Sequence, residues 1–166
     1  MTLSVYGKYL CWALMRVSLI CIGTKMPAWV EEGIAEYRKR LPAEINFELP
    51  LPKRGKNTDI RRAIAQEGEA MVAAIPVGDR VIALDVLGKP VSTESLSEAL
   101  RNWQMDGDNV SILVGGPDGL SDTCLSLARQ KWSLSAMTLP HPLVRVIFAE
   151  QLYRAWTILN NHPYHR

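Results

Sequence analysis

From Arg16 to the last residue, short β-rich apolar runs alternate with helix-patterned segments, and few folds are open to a chain written that way. Successive strands joined by helical crossovers run parallel, and the helices must cover both faces of the sheet they connect. The runs are residues 17–22, 45–49, 81–84 and 110–114, with a further short strand expected near 132–137. Residues 81–84 are apolar without interruption, which predicts a strand buried on both faces.

The intervening helices announce their own limits. One opens at Pro27, where a first turn tolerates proline, and stops before Pro42. Its Glu31, Glu32 and Glu36 precede Arg38, Lys39 and Arg40, which complements the helix dipole at both ends. A second spans about 58–74, with Ile60, Ile64, Met71 and Ile75 near one face. A third follows Ser92 or Thr93, with Leu96, Leu100 and Trp103 at helical spacing; a fourth covers 121–131, and a long fifth reaches about Leu159. The fold class this predicts is α/β, a mostly parallel sheet with helices on both faces, built as one domain over residues 15–166.

Residues 1–14 show no period and read as an N-terminal extension outside that domain. The apolar stretches 10–14 and 17–22 are separated by Arg16, and neither approaches the roughly 18 apolar residues of a spanning helix. No small-residue cleavage site follows a basic start, so a soluble, cytoplasmic protein is expected. Cys11, Cys21 and Cys124 form no CxxC pair, which fits a reducing compartment and argues against a zinc site or a disulfide framework. The 19 Lys+Arg against 17 Asp+Glu leave only +2, so any nucleic-acid surface must be a local patch.

Ligands of such sheets sit outside the carboxyl ends of the strands, here the segments 85–90, 115–119 and 134–142. The cluster Gly115-Gly-Pro-Asp-Gly119 follows a strand and precedes a helix, but it is not GxGxxG, and Pro117 removes one phosphate-cradling N–H. It reads equally as a plain tight turn or as a loop admitting an adenosine moiety without phosphates. No GxSxG or HExxH occurs, and His162 with His165 has no third ligand nearby, so no metal is expected. Lys53, Arg54 and Lys56 with Arg61 and Arg62 stand against Asp59 alone, a local +4 at a loop–helix junction suited to phosphates. A second basic group, Arg145, Arg154, His162, His165 and Arg166, is interleaved with Tyr153, Trp156 and Tyr164. Those rings either stack on bases or form an apolar packing face with Leu143 and Ile147, and so much apolar surface at the chain end points to a partner subunit.

Taken together, Gly23-Thr-Lys-Met-Pro27, Lys53-Arg-Gly-Lys-Asn57, the segment 113–120, the segment 132–146 and Asn161-His-Pro-Tyr-His-Arg166 resemble the RlmH family. These are small SPOUT-type methyltransferases acting on N3 of a pseudouridine in bacterial 23S ribosomal RNA. The resemblance runs from about Met15 to Arg166; residues 1–14 have no counterpart, consistent with an alternative start, and the segment before Lys53 is shorter than the family pattern. It implies an α/β-knot (SPOUT) fold with a C-terminal trefoil knot, a homodimer, and S-adenosylmethionine as the cofactor. By carry-over, Leu84, Gly115, Leu134, Ser135, Ala136, Met137, Thr138 and Leu139 would contact that cofactor. Lys53, Arg54, Lys56, Arg145, Arg154 and Arg166 would contact the RNA. The N3 proton must leave before attack, with His141, Tyr164 and His165 as the candidate acceptors. The alternatives are a non-catalytic ribosome-associated RNA-binding module and a SPOUT enzyme acting on transfer RNA.

Overall fold

A computed structural model describes residues 14–166, so the expected extension lies, apart from exposed Leu14, outside the described residues. Among these residues five strands form one parallel sheet in the order β2-β1-β4-β3-β5. They are β1 Met15–Cys21, β2 Ile45–Glu48, β3 Arg80–Pro90, β4 Val110–Val114 and β5 Gln130–Ser133. On one face lie α1 Ala28–Arg40, α3 Thr93–Asp106 and α5 His141–Leu159, with α5 packed between the other two. On the other lie α2 Ile60–Ala74 and the short α4 Asp122–Leu127, closing a smaller core around Ile20, Leu113, Met71 and Cys124.

The helix starts follow from capping chemistry. Asp59 accepts from the amides of Arg61 and Arg62, Ser92 from that of Ser95, and Ser121 from that of Cys124, each satisfying donors the helix itself leaves free. Helix α3 ends on Gly107 in the left-handed region at φ 71°. At the amino ends of the central strands, buried Asp79 accepts from Arg16 at 2.6 Å and from Ser111 at 2.7 Å, tying β1 and β4 to the residue before β3.

Four expectations need correction. Ile60 is in phase with Met71 but lies eleven residues earlier, about 16 Å along the helix, so it overhangs the sheet and is exposed. The fourth helix stops at Leu127 because the chain turns to pair with β3: the Arg129 amide donates to Val81, and Gln130 falls opposite Ile82. Strand β5 accordingly comes earlier than 132–137, and residues 134–139 leave the sheet altogether. Finally, β3 does not end at Leu84. Trp132 pairs first with Leu84 and then with Lys89, so residues 85–88 bulge out before pairing resumes.

Candidate active site

The three strand-end segments converge on one cavity of about 780 Å³. Its walls come from the β3 bulge (Leu84, Asp85, Val86), the glycine segment after β4 (Gly115, Gly116, Pro117, Gly119) and the segment after β5 (Leu134, Ser135, Met137, Thr138, Leu139). Every residue expected at the cofactor lines it except Ala136. The first turn of α5 closes the floor with His141 and Val144.

Local geometry explains the glycines. The Gly119 amide donates to the Gly116 carbonyl at 3.0 Å, and Gly119 itself sits at φ +90°, so 116–119 is a tight turn with Pro117 at its second position. The cluster is thus a tight turn that also forms part of the cavity wall. A β-carbon on Gly115 would lie 2.5 Å from the Gly119 carbonyl carbon, so the turn folds back onto Gly115 only because that position is bare. Gly88, not singled out above, does the same for the bulge: its missing β-carbon would lie 2.6 Å from the Trp132 carbonyl carbon. A glycine followed by Lys89-Pro90 just beyond an apolar strand was the available signal.

Three expected RNA contacts, Lys53, Arg54 and Lys56, occupy the loop ahead of α2, and all three are exposed. Arg54 lies near enough for its charge, with burial and the Arg145 charge, to act on His141. Burial is the largest of these causes, and together they hold the imidazole below its ordinary pKa. None of the three lines the cavity, but Arg54 is close enough for its charge to act on His141, which does.

Arg145 is a correction. It is fully buried, and its Nη2 donates to the Ile22 carbonyl at 2.7 Å and the Gly23 carbonyl at 3.3 Å. It therefore fastens α5 to the carboxyl end of β1 and presents no charge to a surface. Beside it, burial pushes the Cys21 thiol up to about 12, so that cysteine is an inert core group despite the nearby cation.

The carboxy-terminal residues form a 3-10 turn, Pro163–His165, folded against the far half of α5. The Tyr164 hydroxyl donates to Glu150 at 3.1 Å, its ring lies 4.8 Å from that of Tyr153, and the Arg154 guanidinium stacks over it at 4.9 Å. Arg154 is also paired with Glu150 at 2.6 Å, while Arg166 is exposed. Burial first, and then the Tyr37 hydroxyl and the Glu150 carboxylate, raise the Tyr164 pKa well above the ordinary tyrosine range. Glu150 is nine residues past His141, about 13 Å along the helix. Thus Tyr164 and His165 are absent from the lining of their own chain's cavity, and of the three candidate proton acceptors only His141 is there.

Among the described residues no helix is long and apolar enough to cross a membrane, and no cluster of three or more His, Cys, Asp or Glu is arranged to hold a metal. The family described as "Predicted SPOUT methyltransferase" matches residues 15–165. A protein of Marinomonas sp. named "Ribosomal RNA large subunit methyltransferase H" is 61% identical over 155 residues, which cover 92% of this chain and 100% of the relative. Its namesake from Saccharophagus degradans is 62% identical over the same coverage. Among solved structures, a probable methyltransferase from Bordetella pertussis superimposes with a TM-score of 0.58 at 18% identity, covering 86% of this chain and 95% of that one. A probable methylase family protein from Haemophilus influenzae gives 0.57 at 14%, covering 92% and 71%. At those identities the structures speak for the fold. With the family spanning all but the first residues and the curated relatives matched along their whole length, the chain belongs to the SPOUT methyltransferases, and within them to the RlmH family.

Proposed function

We propose that this protein transfers a methyl group from S-adenosylmethionine to N3 of a pseudouridine in 23S ribosomal RNA, in the cytoplasm and on the ribosome. The observation that carries this is the cavity on which the carboxyl ends of β3, β4 and β5 converge, walled by a glycine turn and apolar side chains. The residues fit the cofactor: the turn around Gly115 is a cradle that a β-carbon would fill, and Leu84, Leu134 and Leu139 offer an apolar slot with backbone N–H and C=O groups along its edge.

When bound, S-adenosylmethionine supplies a methyl already activated on a sulfonium. The chain's residues then have to orient the target base, exclude water and remove one proton. The β3 bulge and residues 134–139 shield the cavity, and His141, kept neutral by burial and the neighbouring cations, is available to accept the N3 proton. Because its pKa is lowered, the protonated, inactive form accumulates only below the ordinary value of 6.5. The acid limb of kcat/KM should therefore lie below pH 6.5 and disappear, with most of the activity, in His141→Asn. A limb that His141→Asn leaves in place would assign proton removal elsewhere.

The same reading includes a homodimer and a knot. The half-buried Leu143 and Ile147 on α5 and exposed Trp29 on α1 support the dimer. In a dimer, the tail with Tyr164, His165 and Arg166 reaches the partner's cavity, where Tyr164, held protonated, orients the base and is not the proton acceptor. The knot is supported by the path from edge strand β5 back to α5, which lies between α1 and α3 and reaches Ile22 through Arg145.

Lys53, Arg54 and Lys56 hold RNA phosphates in this reading. Replacing all three by Ala should weaken RNA binding and make its logarithmic salt slope shallower by about 2–3 units, since each phosphate contact releases close to one counterion. An unchanged slope would make the loop a solvated face. The overall test is mass spectrometry of ribosomal RNA from cells lacking the protein, which should show loss of one methyl on a pseudouridine. Titration calorimetry with S-adenosylmethionine separates this enzyme from an RNA-binding module, which would show no binding.

A further inference from the structure

Glu67, on the buried face of α2, is a carboxylate that the proposed chemistry does not use, and its side chain is only 7% exposed. One of its oxygens, Oε1, accepts from the Gly55 amide at 3.1 Å and lies 3.9 Å from Arg54 Nε. The other, Oε2, backs the glycine turn: a β-carbon on Gly116 would stand 3.3 Å from it. A single side chain is therefore bonded to the basic loop through one oxygen and has the other standing beside the Gly116 position of the cavity wall.

The surroundings are built to allow this. Gly55 presses onto the first turns of α2 so closely that a β-carbon there would lie 2.8 Å from the Ala63 carbonyl oxygen, which brings its N–H within reach of Glu67. Burying a carboxylate is costly unless its oxygens are used, and an apolar side chain would fill the same space between helix and loops without that cost. What the apolar side chain would not do is hold a backbone amide in the middle of a cationic loop whose charges repel one another.

We propose that Glu67 is a positioning residue that locks the basic loop to the glycine turn, so that Lys53, Arg54 and Lys56 stand in register with the cavity before RNA arrives. The inference rests on the reading that this loop holds ribosomal RNA beside that cavity. A loop fixed in its binding geometry gives up less freedom on association, so the benefit appears in RNA affinity and not in the rate of transfer once RNA is seated.

The test uses the full chain with Glu67→Ala and Glu67→Gln, and large ribosomal particles from cells lacking the enzyme. Loss of one hydrogen bond of ordinary worth should raise KM for the particles about five- to tenfold in Glu67→Ala, with kcat nearly unchanged. The salt slope of RNA binding should stay as in the unaltered protein, because every phosphate-facing cation remains. Glu67→Gln keeps an oxygen for the Gly55 amide and should recover most of the affinity. Hydrogen exchange at the Gly55 amide, read without any ligand, should quicken in the Ala variant and be slowed again in the Gln variant.

An unchanged KM in Glu67→Ala overturns the proposal. So does a fall in kcat, cofactor affinity and thermal stability together that Gln fails to restore, since that is the pattern of a residue serving only the fold. If the triple Ala variant of Lys53, Arg54 and Lys56 leaves RNA binding and its salt slope unmoved, the RNA reading itself has failed. Quickened Gly55 exchange in Glu67→Ala would then still report the contact.

Discussion

Gly115→Val should abolish S-adenosylmethionine binding, to below detection by calorimetry, while far-ultraviolet circular dichroism stays close to that of the unaltered chain. The cause lies within the turn. A β-carbon at residue 115 would fall 2.5 Å from the Gly119 carbonyl carbon, 2.7 Å from its oxygen and 2.8 Å from the Leu120 amide nitrogen, all backbone atoms with no rotamer to escape into. The turn must then move as a unit, carrying the wall of the cavity with it. Secondary structure should survive because β4 ends at Val114 and α4 begins at Asp122, on either side of the displaced segment. Gly115→Ala already introduces the offending atom and should share most of the loss, whereas Asp118→Ala, outside the lining, should not. Normal affinity in Gly115→Val would place the cofactor elsewhere.

Mixing two inactive proteins should restore activity. A chain with Gly115→Val keeps its tail but loses its cavity, and a chain ending at Asn161 keeps its cavity but loses Tyr164, His165 and Arg166. In the folded chain that tail is held on the far half of α5 by Glu150, Tyr153 and Arg154, away from its own His141. If the tail serves the partner's cavity, heterodimers contain one whole site, and equal mixing with free exchange of a two-fold dimer should give about one quarter of normal activity. Each parent homodimer should stay inactive. Full activity in the truncated homodimer, or none in the mixture after exchange is verified by mass, would refute a site shared between subunits.

Strands β1 and β4 were legible because their β-rich runs, each interrupted by a single serine, end at a glycine. The run at 110–114 matches β4 residue for residue. What could not be read was pairing. Whether residues 85–90 form a loop or resume the strand depends on where Trp132 finds its partners, and Trp132 lies more than forty residues downstream. Arg145 misled for a related reason. A cation on a helix reads as surface, and only the carbonyls of Ile22 and Gly23, brought close by the fold, make its burial tolerable. The cavity was approached correctly through the rule that ligands gather at strand ends. Glu67 escaped that rule because it acts from the middle of a helix on two loops at once.

The position of α5 in the chain has a consequence for how the protein comes into being. Phe148, Ala149, Leu152 and Ala155 are fully buried at the centre of the larger core, yet they belong to α5, which is synthesised after every strand of the sheet it covers. A nascent chain that stops before His141 has its sheet strands but leaves one face bare, with β1, α1 and α3 exposing the surface that α5 will cover. The Arg145 bond to Ile22 joins residues 123 positions apart, so the closing contact is also among the most distant in sequence. Long-range closure of this kind is slow, and the uncovered intermediate is prone to stick to its neighbours. The larger core therefore closes only once α5 is available, in one late step that brings residues 22 and 145 together.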